Sequence, residues 1–220
     1  MTNKRLYIIC GHYGSGKTNV ALNMAFDLKN QGEKVAIADL DIVNPYFRTK
    51  DSADELKRLG IDLICSEYAG SNVDIPALPQ DMYSITDKRD SKYILDIGGD
   101  DRGALALGRI APKIKEENNY EMYLVVNRFR PLTRDTASVL EVIGEIEYAA
   151  KIRFTGIINN SNLGEETTAS DVISSIDYAE DIAKTTGLPV VLTAVDQRLY
   201  DTVKDKVPNA FSLKLQEKIK

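Results

Sequence analysis

Residues 10–18 of this 220-residue chain read CGHYGSGKT, and they carry the most explicit chemistry in the sequence. Gly11-x-x-x-x-Gly16-Lys17-Thr18 matches the pattern G-x-x-x-x-G-K-[ST] at every fixed position. Glycines let consecutive backbone N–H groups turn inward and approach phosphate oxygens closely. A helix opening at Lys17 would add the positive end of its dipole. The Lys17 ammonium would then neutralise β- and γ-phosphate charge, and the Thr18 hydroxyl would ligate Mg²⁺. The segment expected to line the nucleotide is Gly11, His12, Tyr13, Gly14, Ser15, Gly16, Lys17, Thr18 and Asn19. A dinucleotide fingerprint fails here, although Asp39 falls where a ribose-binding acid would sit. Gly14-Ser15-Gly16 is followed by Asn19 in place of a third glycine, and the Lys-Thr pair has no role in that site.

Two acidic groups could complete a phosphate site. Asp39 and Asp41 lie in ADLDIVNPYF, two positions apart, so extended backbone points both the same way. Aimed at the phosphates, they would hold a Mg²⁺-bound water and position an attacking water. In YILDIGGDDRG an apolar run ends in Asp96, followed by Gly98 and Gly99. That carboxylate would approach Mg²⁺ through water, and a glycine amide such as that of Gly99 would sense the γ-phosphate. Asp100, Asp101 and Arg102 would open the next helix and move with it. Arg128, Arg130 and Arg134 follow a further strand, in NRFRPLTRD, as grips for an anion or as solvated loop charges. Tyr46 and Phe47 stand beside the Asp41 segment as a partner surface or as buried anchors.

These residues need a scaffold. Strand-like runs fall at 5–10, 34–39, 62–66, 92–97, 120–127, 153–159 and 188–195. Several are continuously rich in Ile, Val and Leu, as strands buried on both faces are. Helical periodicity links them over 17–30 (Val20, Met24 and Leu28 on one stripe, Gly32 beyond), 133–150 and 168–186. The alternation predicts an α/β fold of three layers, a mostly parallel sheet of about seven strands with helices on both sides, in one domain over 1–220. Such sheets bind ligands at the carboxyl ends of their strands, where every motif above lies. Residues 67–91 read as a loop with at most one short strand, and NAFSLKLQEKIK at the C-terminus as a docked helix.

Composition narrows the alternatives. The chain is 43 % hydrophobic and 28 % charged, with a net charge of −5. The acidic balance argues against nucleic-acid binding. No apolar run reaches the ~20 residues of a membrane helix and no signal-peptide pattern opens the chain, so the expected address is the cytoplasm, without stable membrane insertion. Cys10 and Cys65 sit in separate apolar runs and read as reduced core thiols.

The ordered set GHYGSGKT, ADLDI, YILDIGG and TGIINNS resembles the MinD/ParA/nitrogenase-iron-protein group of P-loop ATPases, the SIMIBI class, over residues 5–195. The resemblance implies ATP with Mg²⁺ and a homodimer whose phosphate sites face each other. It gives Lys17 and Thr18 the phosphate and Mg²⁺ roles, Asp41 that of the water-positioning aspartate of switch I, and Asp96 that of switch II. Asn160, with Asn159 as the close alternative, resembles the asparagine that reads the adenine edge. One position departs. The group's signature lysine, which reaches across the dimer, is replaced here by His12. Imidazole is shorter and mostly neutral at pH 7. His12 is either a phosphate or partner contact or a polar loop residue without a catalytic role.

Three functions fit. The first is a Mg-ATP-dependent switch, binding ATP and ADP, that acts on an unidentified partner protein. The second is a small-molecule kinase or an ATP-dependent ligase resembling dethiobiotin synthetase. The third is a weakly hydrolysing nucleotide-bound scaffold, suggested by the missing lysine.

Overall fold

The structure, a computed structural model, describes residues 2–40, 52–65, 85–98 and 101–216, the side chains of 101 and 102 excepted. Asp41, Gly99, Asp100, the Arg102 side chain, Tyr46, Phe47 and most of the 67–91 segment therefore lie outside the described residues.

Among the described residues eight strands form one sheet in the order β3-β2-β4-β1-β5-β6-β7-β8. They are β1 (Leu6–Cys10), β2 (Val35–Leu40), β3 (Asp62–Cys65), β4 (Lys92–Ile97), β5 (Tyr120–Val126), β6 (Gly156–Asn159), β7 (Val190–Asp196) and β8 (Ala210–Leu213). Every pairing is parallel. All five residues of β1 are buried, because the central strand has helices over both faces.

The helices are α1 (Lys17–Asn30), α2 (Ala53–Leu59), α3 (Asp101–Glu117), α4 (Thr136–Ala150), α5 (Ala169–Thr186) and α6 (Gln197–Val203). On one face Leu6, Ile8, Leu95, Leu124 and Val126 meet Leu107, Ile110 and Ile114 of α3 and Val139 and Val142 of α4. On the other, Tyr7, Ile9, Ile37, Ile94 and Val125 meet Val20, Met24 and Leu28 of α1 and Leu56 of α2. The predicted α1 stripe is thus the buried one. Local chemistry sets the helix ends. Thr168 and Asp171 form a capping box at the start of α5, and Gly187 closes it in the left-handed conformation. Asp135 caps α4 by accepting from the Ser138 amide at 2.9 Å.

The C-terminal segment departs from the expected helix. Ala210–Leu213 extends the sheet as β8, in register with β7 from Thr193↔Ala210 to Asp196↔Leu213. The reason is a period of two: Phe211, Leu213 and Leu215 alternate with polar residues and all pack on the α1 side of the core. The chain then runs back along α1. The Asn23 side chain accepts from the Lys214 amide at 2.8 Å and donates to the Lys214 carbonyl at 2.9 Å. Asn19 Oδ1 accepts from the Gln216 amide at 3.0 Å.

Candidate functional site

β1 lies between β4 and β5, and the chain leaves it to one side for β2 and reaches β5 on the other from β4. The crevice at the carboxyl end of β1 is therefore the switch point of the sheet, where an open α/β fold binds ligands. The Gly11–Thr18 loop fills that point.

Its shape depends on glycine. Gly14 and Gly16 have φ of 78° and 83°, in the left-handed region that side chains disfavour. Gly16 is also the N-cap of α1, so the helix dipole starts directly beneath the loop. A Cβ on Gly11 would come within 2.7 Å of the Val125 carbonyl oxygen and of Ser15 Oγ, which packs the loop root against β5. The loop folds on itself through the Ser15 amide, which donates to the His12 carbonyl at 3.1 Å.

Inside it, Ser15 is 1 % exposed and Lys17 3 % exposed. Ser15 Oγ and His12 Nδ1 are buried polar atoms without a hydrogen-bond partner among the described residues. Buried polar atoms of this kind call for a ligand or water that completes them. His12 itself is half-buried, and the neighbouring Tyr13 is exposed.

The acidic groups converge on the α1 face of the sheet. Asp39 and Asp96 are register partners on adjacent strands, and Asp96 also pairs with Ile9 beside the loop. Ile9, Ile37 and Ile94 belong to the α1-side core, so the two-residue alternation turns Asp39 and Asp96 toward that same face. Asp96 is fully buried. With Thr18 it provides hard oxygen donors, the set that suits Mg²⁺ when phosphate oxygens complete its shell. These residues fit the ion that the loop pattern implies.

Lys17 and Asp96 both act on Cys10. Burial pushes the Cys10 thiol far above its ordinary value, the Lys17 charge opposes that, and Asp96 adds to it. Cys10 thus stays a thiol, while Cys65 is only partly buried and neither forms a disulfide. In the folded protein at pH 8 a thiol reagent should modify Cys65 and spare Cys10, with both reacting on denaturation. Two fast-reacting thiols in the native state would contradict this arrangement.

The asparagines at the end of β6 divide. Asn159 is fully engaged: its amide donates to Ser175 Oγ at 2.9 Å, and its carbonyl oxygen accepts from Ser161 Oγ at 2.7 Å. Asn160 reaches the phosphate loop, donating from Nδ2 to the Ser15 carbonyl at 2.7 Å. Its Oδ1 accepts from Asn162 Nδ2 at 3.0 Å, and its second amide hydrogen has no acceptor among the described residues. Asn19 meets the C-terminal segment through its side chain, as described above.

Sequence reasoning missed the frame behind these residues. Asn127, directly after β5, donates to the Asn162 carbonyl at 3.1 Å and accepts from the Phe129 amide at 3.0 Å. Thr133 Oγ1 donates to the Asn127 carbonyl at 2.8 Å. Asp196 ends β7, caps α6 and holds Arg198, at 2.7 Å from Nη2. The signal was present: a polar residue directly following an apolar strand, the cue that singled out Asp96.

A family model described as CbiA, the CobQ/CobB/MinD/ParA nucleotide binding domain, matches residues 7–198. No curated protein matches the sequence. Solved structures match in fold. The cell division protein FtsY of Thermotoga maritima superposes with a TM-score of 0.61 at 17 % identity, covering 88 % of this chain and 62 % of its own. FtsY of Mycoplasma mycoides gives 0.59 at 19 % identity, covering 89 % and 62 %. The signal recognition particle 54 kDa protein of Aeropyrum pernix, in complex with GDP, gives 0.55 at 15 % identity, covering 87 % and 41 %. The chain thus spans less than two thirds of these solved chains.

Proposed function

Because the chain belongs to the CobQ/CobB/MinD/ParA family of P-loop nucleotide-binding domains, we propose that it is a Mg-ATP-dependent switch that acts on a partner protein. The observation that carries this reading is the glycine-walled loop from Gly11 to Thr18, in which Ser15 Oγ and His12 Nδ1 are buried and unmatched among the described residues. A nucleotide's phosphates supply the missing acceptors and fill the glycine cradle.

Lys17 neutralises the phosphate oxygens. Thr18 and Asp96 hold Mg²⁺, which lowers the charge on the phosphates when bound. Asp41, with Asp39 on the adjoining strand, orients the water that attacks the γ-phosphate. Asp41 would also help to hold the ion, and the Gly99 amide would read whether that phosphate is present. Adenine is the proposed base from the resemblance. Asn160 is its reader through the amide hydrogen that Ser15 does not take, since Asn159 donates to both Ser175 oxygens. His12 in place of the signature lysine makes unstimulated hydrolysis slow, with a homodimer or a partner supplying the remaining stabilisation.

The chain is proposed to work as one cytoplasmic domain. No helix among the described residues is long and apolar enough to cross a membrane.

Purified protein with Mg²⁺ should bind ATP at least about tenfold more tightly than GTP and release phosphate slowly, on the order of 10⁻³ to 10⁻² s⁻¹. A non-hydrolysable ATP analogue should favour the dimer in sedimentation, and ADP the monomer. GTP preference would move the base assignment. Strong stimulation of ADP release by a small metabolite, with no effect on self-association, would favour the kinase or ligase.

A further inference from the structure

The three arginines after β5 look alike in sequence, and the fold separates them. Arg128 turns outward onto α5: its guanidinium donates to the Ser174 carbonyl and lies 5.7 Å from the centre of the Phe129 ring. Arg134 pairs with Asp135, 3.2 Å away. Arg130 leans the other way. A Cβ placed on Gly14 would stand 3.8 Å from both Cδ and Nε of Arg130, so this side chain lies across the apex of the phosphate loop. Among the described residues its guanidinium has no hydrogen bond, ion pair or ring contact, whereas its two neighbours have partners.

The backbone beneath Arg130 is built to hold this position. Pro131 follows, which keeps Arg130 extended, at φ −112° and ψ 134°. The Arg130 amide donates to the Asn127 carbonyl at 3.0 Å, and the Arg130 carbonyl accepts from the Thr133 amide at 3.1 Å. Thr133 is 1 % exposed, bonded to Asn127 through its hydroxyl, and its carbonyl accepts from Tyr178 Oη. With its backbone fixed over a glycine-walled anion cradle, the residue has only its side-chain rotamers to order when it meets a ligand there.

We infer that Arg130 is a phosphate-contacting residue of this site, supplied within the same chain. Its guanidinium closes over the Gly14 apex and donates to the phosphate oxygens of a bound nucleoside triphosphate. The inference rests on the nucleotide reading above and adds a residue to it. Guanidinium suits this role because its fork meets phosphate oxygens in pairs and it carries its charge at every physiological pH.

The test compares parent, Arg130→Ala, Arg130→Lys, Arg134→Ala and Lys17→Ala in binding a non-hydrolysable ATP analogue with Mg²⁺ by calorimetry across several salt concentrations. Arg130→Ala should weaken binding by about ten- to a hundred-fold and flatten its salt dependence. Arg130→Lys should recover part of the loss, keeping the charge without the fork. Arg134→Ala should match the parent. Arg130 is exposed, so its two variants should melt as the parent does.

If Arg130→Ala binds within about threefold of the parent while Lys17→Ala has lost binding, the inference is overturned and the nucleotide site stands. If the parent does not bind the analogue, or Lys17→Ala binds as the parent does, both readings fall.

Discussion

Lys17→Ala is expected to weaken Mg-ATP binding by at least about a hundred-fold. Each hydrogen bond to a charged group contributes about 1.5–3 kcal/mol, and in the proposed site the ammonium serves two phosphates at once. The loss reaches beyond the ligand. Lys17 is 3 % exposed and acts on Cys10 together with Asp96, which is fully buried. Alanine there empties buried space at the loop and removes a buried cation. The nucleotide-free protein should therefore lose about 1–3 kcal/mol of stability as well. Lys17→Met, which keeps the aliphatic stem, separates lost packing from lost charge. Titration with a fluorescent ATP analogue below the melting transition measures the first effect and thermal unfolding the second. An unchanged dissociation constant would mean that the loop does not hold phosphate.

The second large effect distinguishes two glycines with nearly the same backbone. Gly14 and Gly16 both have φ near +80°, so alanine at either position carries a strain of about 1–2 kcal/mol. Their surroundings differ. A Cβ at Gly14 meets only the flexible stem of Arg130 at 3.8 Å, whereas one at Gly16 would stand 2.3 Å from Asn160 Nδ2. Asn160 is 2 % exposed and donates to the Ser15 carbonyl, so it cannot yield without leaving that acceptor unmatched inside the loop. Gly16→Ala should cost about 1–3 kcal/mol more than Gly14→Ala in denaturant unfolding, and it should abolish nucleotide binding in the folded fraction. Equal costs for the two would show that backbone strain alone is at work and that the Asn160 brace contributes nothing.

Asn160 also shows where the sequence was legible and where it was not. The family resemblance brought it to attention as a base reader. Its bond to Ser15 crosses 145 positions of chain and has no local signature. The same holds for the arginines: NRFRPLTRD offers three identical charges, and nothing in their spacing says which one faces Gly14. Local pattern did carry the strand and helix order and the α1 stripe, because each depends on neighbours a few residues away. Where a period was read for the wrong element, at Phe211, Leu213 and Leu215, the apolar alternation was there but short. Only pairing with β7 made it a strand.

By itself, then, the sequence determined the parallel α/β architecture and the phosphate loop. Continuous apolar strands, helical stripes and a Gly-x-x-x-x-Gly-Lys-Thr run are local consequences of backbone geometry and burial. The tertiary structure decided which polar groups share one face at the end of β1. It set Asp39 beside Asp96, braced Ser15 with Asn160, and turned Arg130 over the loop while Arg128 and Arg134 found partners elsewhere. Those placements follow from strand order and register, which join residues far apart in the chain, and only the folded sheet fixes them.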